Sequence, residues 1–155
     1  MDRTINFGYR GARACTILHE EEMCRFVETW KKAKAAGVKL PETKSQNYAS
    51  FEALLTHVLF QAGDYMVWIC EKLELPDPEI KPVPELAVIE AEVDDYLEHL
   101  LLQWSKPLRG VRGHQFYTAT FTARWKVDYC IDAMLEHAVM HPMRHRFQLE
   151  ELMEE

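Results

Sequence analysis

His137-Ala138-Val139-Met140-His141-Pro142-Met143-Arg144-His145 sets three imidazoles four residues apart. On an α-helix a four-residue step turns a side chain by only about 40°, so the three rings stack along one face. The flanking residues keep the same period. Val127, Cys130, Ile131, Met134, Ala138, Leu149 and Leu152 form an apolar stripe, which predicts a helix from about Thr122 almost to the C-terminus. With His141 as zero, an ideal wheel puts the stripe's centre and His145 both near roughly +40° and His137 near roughly −40°. His141 and His145 thus point inward. His137 lies at the stripe's edge, better placed to neighbour a site than to ligate. Pro142 lacks a backbone donor and crowds the carbonyl of Ala138, so a kink is expected inside the histidine stretch.

Three more helices are predicted upstream. The first runs from about Ala14 to Ala36 after a polar lead-in carrying Gly8 and Gly11, with Leu18, Met23, Phe26, Val27 and Trp30 inward and Gly37 as a left-handed C-terminal cap. Residues 40–48 read as loop. Ser50 then caps a second helix reaching about Leu73, with Leu54, Leu55, Val58, Leu59, Ala62, Tyr65, Met66 and Ile69 inward. His57 falls at the edge of that stripe. Pro76, Pro78, Pro82 and Pro84 make a stiff, long connection to a third helix, about Glu85 to Trp104. Residues 105–118 form another connection. No strand stands out, so the expected fold is an all-α four-helix bundle in a single domain over residues 1–155.

Composition narrows the functional classes. The net charge of −7 argues against a nucleic-acid surface or an anionic membrane as partner, and no segment approaches the roughly 18 uncharged apolar residues of a membrane span. Cys15, Cys24, Cys70 and Cys130 contain no Cys-x-x-Cys pair, which suits reduced, mostly buried thiols. The N-terminus lacks the apolar run of a signal peptide, and the expected compartment is the cytoplasm. A chain of this length buries a core without a structural metal, so a metal here would serve chemistry.

Two neutral imidazoles inside a bundle need partners, because each unpaired buried polar group costs on the order of 1 to 3 kcal/mol. A divalent cation is one partner, buried water or a carboxylate another. For a cation, an i,i+4 pair supplies one side of the shell, and a third ligand must come from a facing helix. His57 is the one histidine of the second helix. The stretches Ser50-Phe51-Glu52-Ala53-Leu54-Leu55-Thr56-His57-Val58 and His141-Pro142-Met143-Arg144-His145-Arg146-Phe147-Gln148-Leu149 resemble the metal-site motifs of the DinB (damage-inducible) superfamily of four-helix bundles. That family takes one His from its second helix and a His-x-x-x-His from its last, where the motif usually continues Arg-Gly-Gln. Phe147 replaces the glycine, which alters local packing and leaves both ligand positions filled.

The resemblance implies a metal held by His57, His141 and His145, and makes a homodimer plausible. It implies a small-molecule substrate, with a transferase or hydrolase reaction and a low-molecular-weight thiol as a candidate co-substrate. Catalytic residues beyond the ligands are unassigned. Gln148 and His137 are candidates for supporting the ligands by hydrogen bonding, and Tyr65 and Trp68 for walling a cavity. Imidazole suits zinc or nickel best, and copper also fits the ligand type. The competing reading is a non-catalytic helical metal-binding or dimerisation module, and a cleft beside the three histidines would favour the enzyme. Ferritin-like di-iron chemistry is excluded because none of the seven histidines has Glu three residues before it. His19-Glu20-Glu21-Glu22-Met23 lacks the second histidine of a zincin.

Overall fold

The computed structural model describes residues 6–154; residues 1–5 of the expected lead-in lie outside the described residues. Four helices carry most of the chain: α1 (Arg10–Ala35), α2 (Phe51–Lys72), α3 (Ile89–Trp104) and α4 (Ile131–Glu154). A short antiparallel hairpin, β1 (Phe121–Thr122) and β2 (Asp128–Tyr129), precedes α4, with Phe121 opposite Tyr129 and Thr122 opposite Asp128. The all-α class expected from the periodicity is observed, with this hairpin as the exception.

Local chemistry accounts for several boundaries. Ser50 Oγ accepts from Ala53 N at 3.1 Å and starts α2, while Gly37 ends α1 with φ of 71°, as a left-handed cap requires. α1 begins earlier than expected, at Arg10, and takes in Gly11. α3 begins later, because residues 86–88 form a turn before Ile89. Residues 75–85, which hold the four prolines, adopt neither helix nor strand. Lys81 fixes that segment to α3: its carbonyl accepts from Tyr96 Oη at 2.9 Å and its N–H donates to His99 Nε2 at 3.0 Å.

The largest correction concerns residues 122–130. Val127, Cys130, Ile131 and Met134 happen to share a helical spacing, but the backbone turns back at Ala123, where Val127 O accepts from Ala123 N at 2.8 Å and Lys126 takes φ of 67°. Val127 is therefore 46% exposed rather than core. α4 is shorter than expected and holds Pro142 in its buried side. Leu18 is likewise exposed, and of the four unpaired cysteines only Cys70 is fully buried.

α1 lies along α4, and α2 packs against α3 and α4. Met23, Phe26, Trp30, Leu54, Leu59, Met66, Leu100 and Met134 share one hydrophobic core. Indole N–H groups are satisfied by carbonyls, Trp30 Nε1 on Phe51 O at 2.7 Å and Trp104 Nε1 on Ala62 O at 2.8 Å. Contrary to the sequence-based expectation, α2 is long and apolar enough to cross a membrane by length and composition, but most of its apolar window is buried inside the fold.

His19 is completely buried, with its ring stacked on Trp104 at 3.7 Å and 11°, and neither ring nitrogen has a hydrogen-bond partner. Burial pushes its pKa down to about 3. The unfolded chain takes up this proton below its ordinary pKa of 6.5, whereas the folded chain resists until about pH 3. The folded state therefore loses stability as pH falls from 6.5 toward 3. His19→Phe keeps the stack and removes two unpaired polar atoms. It should raise stability at pH 7 by about 1 to 2 kcal/mol and lessen the loss between pH 6.5 and 4, read by urea unfolding. A less stable variant would show that the ring nitrogens do have partners in solution.

Candidate metal centre

The structure brings His57 of α2 and His141 and His145 of α4 together. The ring centroids lie 4.9 Å (His57 to His141), 5.3 Å (His57 to His145) and 4.8 Å (His141 to His145) apart. Helical geometry explains this: the i,i+4 pair stacks on one face of α4, and that face meets α2 at the turn carrying His57. His57 Nε2 and His141 Nε2 are 3.1 Å apart, and one candidate ligand atom from each of the three residues lies within 4.8 Å of the others. A tetrahedral zinc with Zn–N near 2.05 Å needs nitrogens about 3.3 Å apart, so modest ring rotation would complete the shell.

His145 is oriented from behind. Its Nδ1 lies 2.9 Å from Gln148 Oε1 and 3.0 Å from Tyr48 Oη, and the Tyr48 hydroxyl donates to the same Gln148 oxygen. Since Oε1 only accepts, Nδ1 carries the proton and Nε2 keeps its lone pair, the state a metal ligand needs. Tyr48, in the 3-10 turn Gln46–Tyr48, was not foreseen, because nothing in a polar loop marks which residue will reach back.

Electrostatics keep the cluster neutral. Burial pushes His141 down to about 2, and the neighbouring His145, His57, Arg144 and His137 add to the effect. His145 is lowered to about 4 by burial and by His57, against the raising effect of its bond to Gln148. His57 is lowered by burial. Three uncharged rings at neutral pH offer lone pairs without protons to displace, which fits a divalent cation.

His137 is not in this group. It sits within a set of aromatic rings, stacked on Trp125 at 5.4 Å and 26° and edge-on to Tyr65 (5.4 Å) and Tyr129 (5.5 Å). Tyr65 also meets His141, at 5.7 Å, so it does line the site. Trp68 packs instead on Phe121. Trp125 and Tyr129 escaped the sequence reading because their segment was assigned to a helix; the run of aromatic and β-branched residues from Phe116 to Thr122 was the signal for strand. Phe147 points outward, 51% exposed, with the Arg146 guanidinium 4.5 Å from its ring centroid, so a bulky residue at the glycine position meets no obstacle.

A cavity of about 410 Å³ opens beside His57, lined by Gln46, Asn47, Thr56, Phe60, Gln61 and Leu86 among others. Thr56 Oγ1, buried in that wall, has no hydrogen-bond partner. A larger hollow of about 680 Å³, lined largely by residues 38–52, includes none of the three histidines. Comparison with family models, curated proteins and solved structures returns no match for this chain.

Replacing Gln148 with Leu removes the acceptor that holds the His145 proton on Nδ1. Zinc affinity, measured by competition with a chromophoric chelator, should fall about 10-fold or more. Unchanged affinity would mean that Gln148 does not orient the ligand.

Proposed function

We propose that this chain is a metal-dependent enzyme of the DinB type, a transferase or hydrolase acting on a small molecule, with a low-molecular-weight thiol as candidate co-substrate. In this reading the four helices form the family's bundle, residues 75–85 are its proline-rich crossover between α2 and α3, and His57, His141 and His145 hold a divalent cation, zinc or nickel. The observation that carries it is the convergence of three neutral imidazoles from two helices, one with its tautomer fixed by Gln148 and Tyr48.

Support for chemistry rather than a sealed structural site comes from the surroundings. His57 and His145 are each only partly buried, and the cavity beside His57 leaves room for a ligand next to the cluster. His57, His141 and His145, all neutral, would hold a divalent cation without cancelling its charge, and the chemistry it would supply is to make a nearby thiol or water more acidic near neutral pH. The protein's own part is to hold the ligand nitrogens unprotonated, to fix the His145 tautomer, and to line one side with Tyr65, whose ring meets His141.

The test is metal content. Untagged protein should carry about one divalent ion per chain by elemental analysis, and His141→Ala should carry little or none. Adding zinc to the metal-free wild type should raise its melting temperature and leave the variant's unchanged, because a ligand that binds only the folded state stabilises it. Equal metal in both proteins would end this reading. Metal in the wild type and none in the variant would be followed by thiol-transfer and hydrolysis screens on the loaded wild type.

A further inference from the structure

Three elements meet around the cavity beside His57. α2 gives it Thr56, His57, Phe60 and Gln61, residues that share one face by their spacing of three and four, and the 3-10 turn adds Gln46 and Asn47. Leu86, from the turn before α3, completes the lining. Gln46, Asn47 and Gln61 are carboxamides, and none of their side-chain amides makes a hydrogen bond among the described residues. Asn47 and Gln61 are also half-buried, so two of these amides are already partly removed from water. His57 adds another unused group. Its Nε2 faces His141 at 3.1 Å, while its Nδ1 has no partner among the described residues, unlike Nδ1 of His145, which meets Gln148 and Tyr48. A metal held at Nε2 would leave the His57 proton on Nδ1, a donor still in need of an acceptor.

No Asp, Glu, Lys or Arg lines this cavity. A carboxylate or ammonium seated there would give up water and gain no counter-ion. A carboxamide instead offers a donor and an acceptor side by side, and the ligand group that answers both is another amide. Phe60 and Leu86, 51% and 54% exposed, supply apolar surface that the fold leaves uncovered, enough for a short hydrocarbon arm beside such an amide. The volume of about 410 Å³ suits a small molecule.

We propose that the small molecule used at this site, as substrate or co-substrate, carries an uncharged amide that Asn47 and Gln61 bind in the cavity beside His57. This rests on the three-histidine metal reading, and the two separate experimentally. Cobalt-loaded protein is titrated by calorimetry with N-acetylcysteamine, cysteamine and 3-mercaptopropionate, thiols whose tails are an amide, an ammonium and a carboxylate. Each affinity is corrected for the ionised fraction of its thiol. Wild type should prefer the amide to either charged tail by about tenfold, and Gln61→Leu should lose most of that preference. Gln61→Glu should shift the preference toward cysteamine, a change that lost packing alone would not produce. Gln61 is half-buried on a helical face away from the core, so both variants should fold, and each one's cobalt content is checked first. Equal affinities in wild type, a preference kept in Gln61→Leu, or no binding of any of the three to cobalt-loaded wild type overturns this assignment alone. A wild type that takes up no cobalt overturns the metal reading, and this assignment with it.

Discussion

Two ring nitrogens set face to face, Nε2 of the half-buried His57 and Nε2 of the buried His141 at 3.1 Å, impose a condition on everything around them. Both rings are neutral, since burial and mutual proximity make a proton expensive. Two lone pairs cannot face each other at that distance without something between them. Either one nitrogen carries a hydrogen and donates to the other, or both turn their lone pairs to a shared cation. The first solution satisfies one pair of atoms and does nothing for His145. The second uses all three rings, and it agrees with the way Gln148 and Tyr48 hold the proton of His145 on the far nitrogen.

Such an arrangement requires the facing helices to be fixed in rotation as well as in distance, because a turn of about 40° on α4 would trade one histidine for the next. Arg146 supplies part of that fixity. Its bonds to Glu22 clamp α4 against α1 one residue after His145, in surroundings where both side chains are largely removed from water. A buried pair of this kind is weak evidence for net stability but costs several kcal/mol to break by halves, so it favours one rotational setting over its neighbours. Arg25 completes the bonding of Glu22 from the solvent side. The cap at Ser50 performs the corresponding service for α2 by setting where its first turn begins, and with it the direction in which His57 points.

Much of this was legible in the residues. Period and caps located α2 and most of α1 and α3, and the wheel placed His141 and His145 inward and His137 at an edge. What could not be read was anything depending on contacts between distant segments. Tyr48 reaches His145 across 97 positions from a loop of ordinary composition. The hairpin carrying Trp125 and Tyr129 was hidden because its residues satisfy a helical spacing by coincidence, and period alone cannot detect a reversal made by Lys126 in a left-handed conformation. The family motif was also silent on the differing roles of the arginines beside His145, because the same side chain serves the fold or faces solvent according to whether an acid stands opposite.

That last distinction bears on how a chain of net charge −7 could receive an anion such as a thiolate. Summed charge acts at a distance, and at physiological salt a Debye length of about 8 Å screens most exposed carboxylates from a ligand already at the cleft. Within that radius the local inventory governs. Here it consists of three neutral imidazoles with Tyr65 and Tyr48 against them, and Arg144, next in sequence to His145, is exposed and forms no ion pair among the described residues, while Lys34, Arg124 and Arg146 are each held by carboxylates. The chain's acidic surplus lies on solvent-facing positions such as Glu92, Asp95 and Glu98 of α3. Global repulsion would slow the approach of an anion at low salt, whereas the close field would decide whether it stays. The pairing pattern of the carboxylates, rather than their number, thus sets the sign of the field at the histidines.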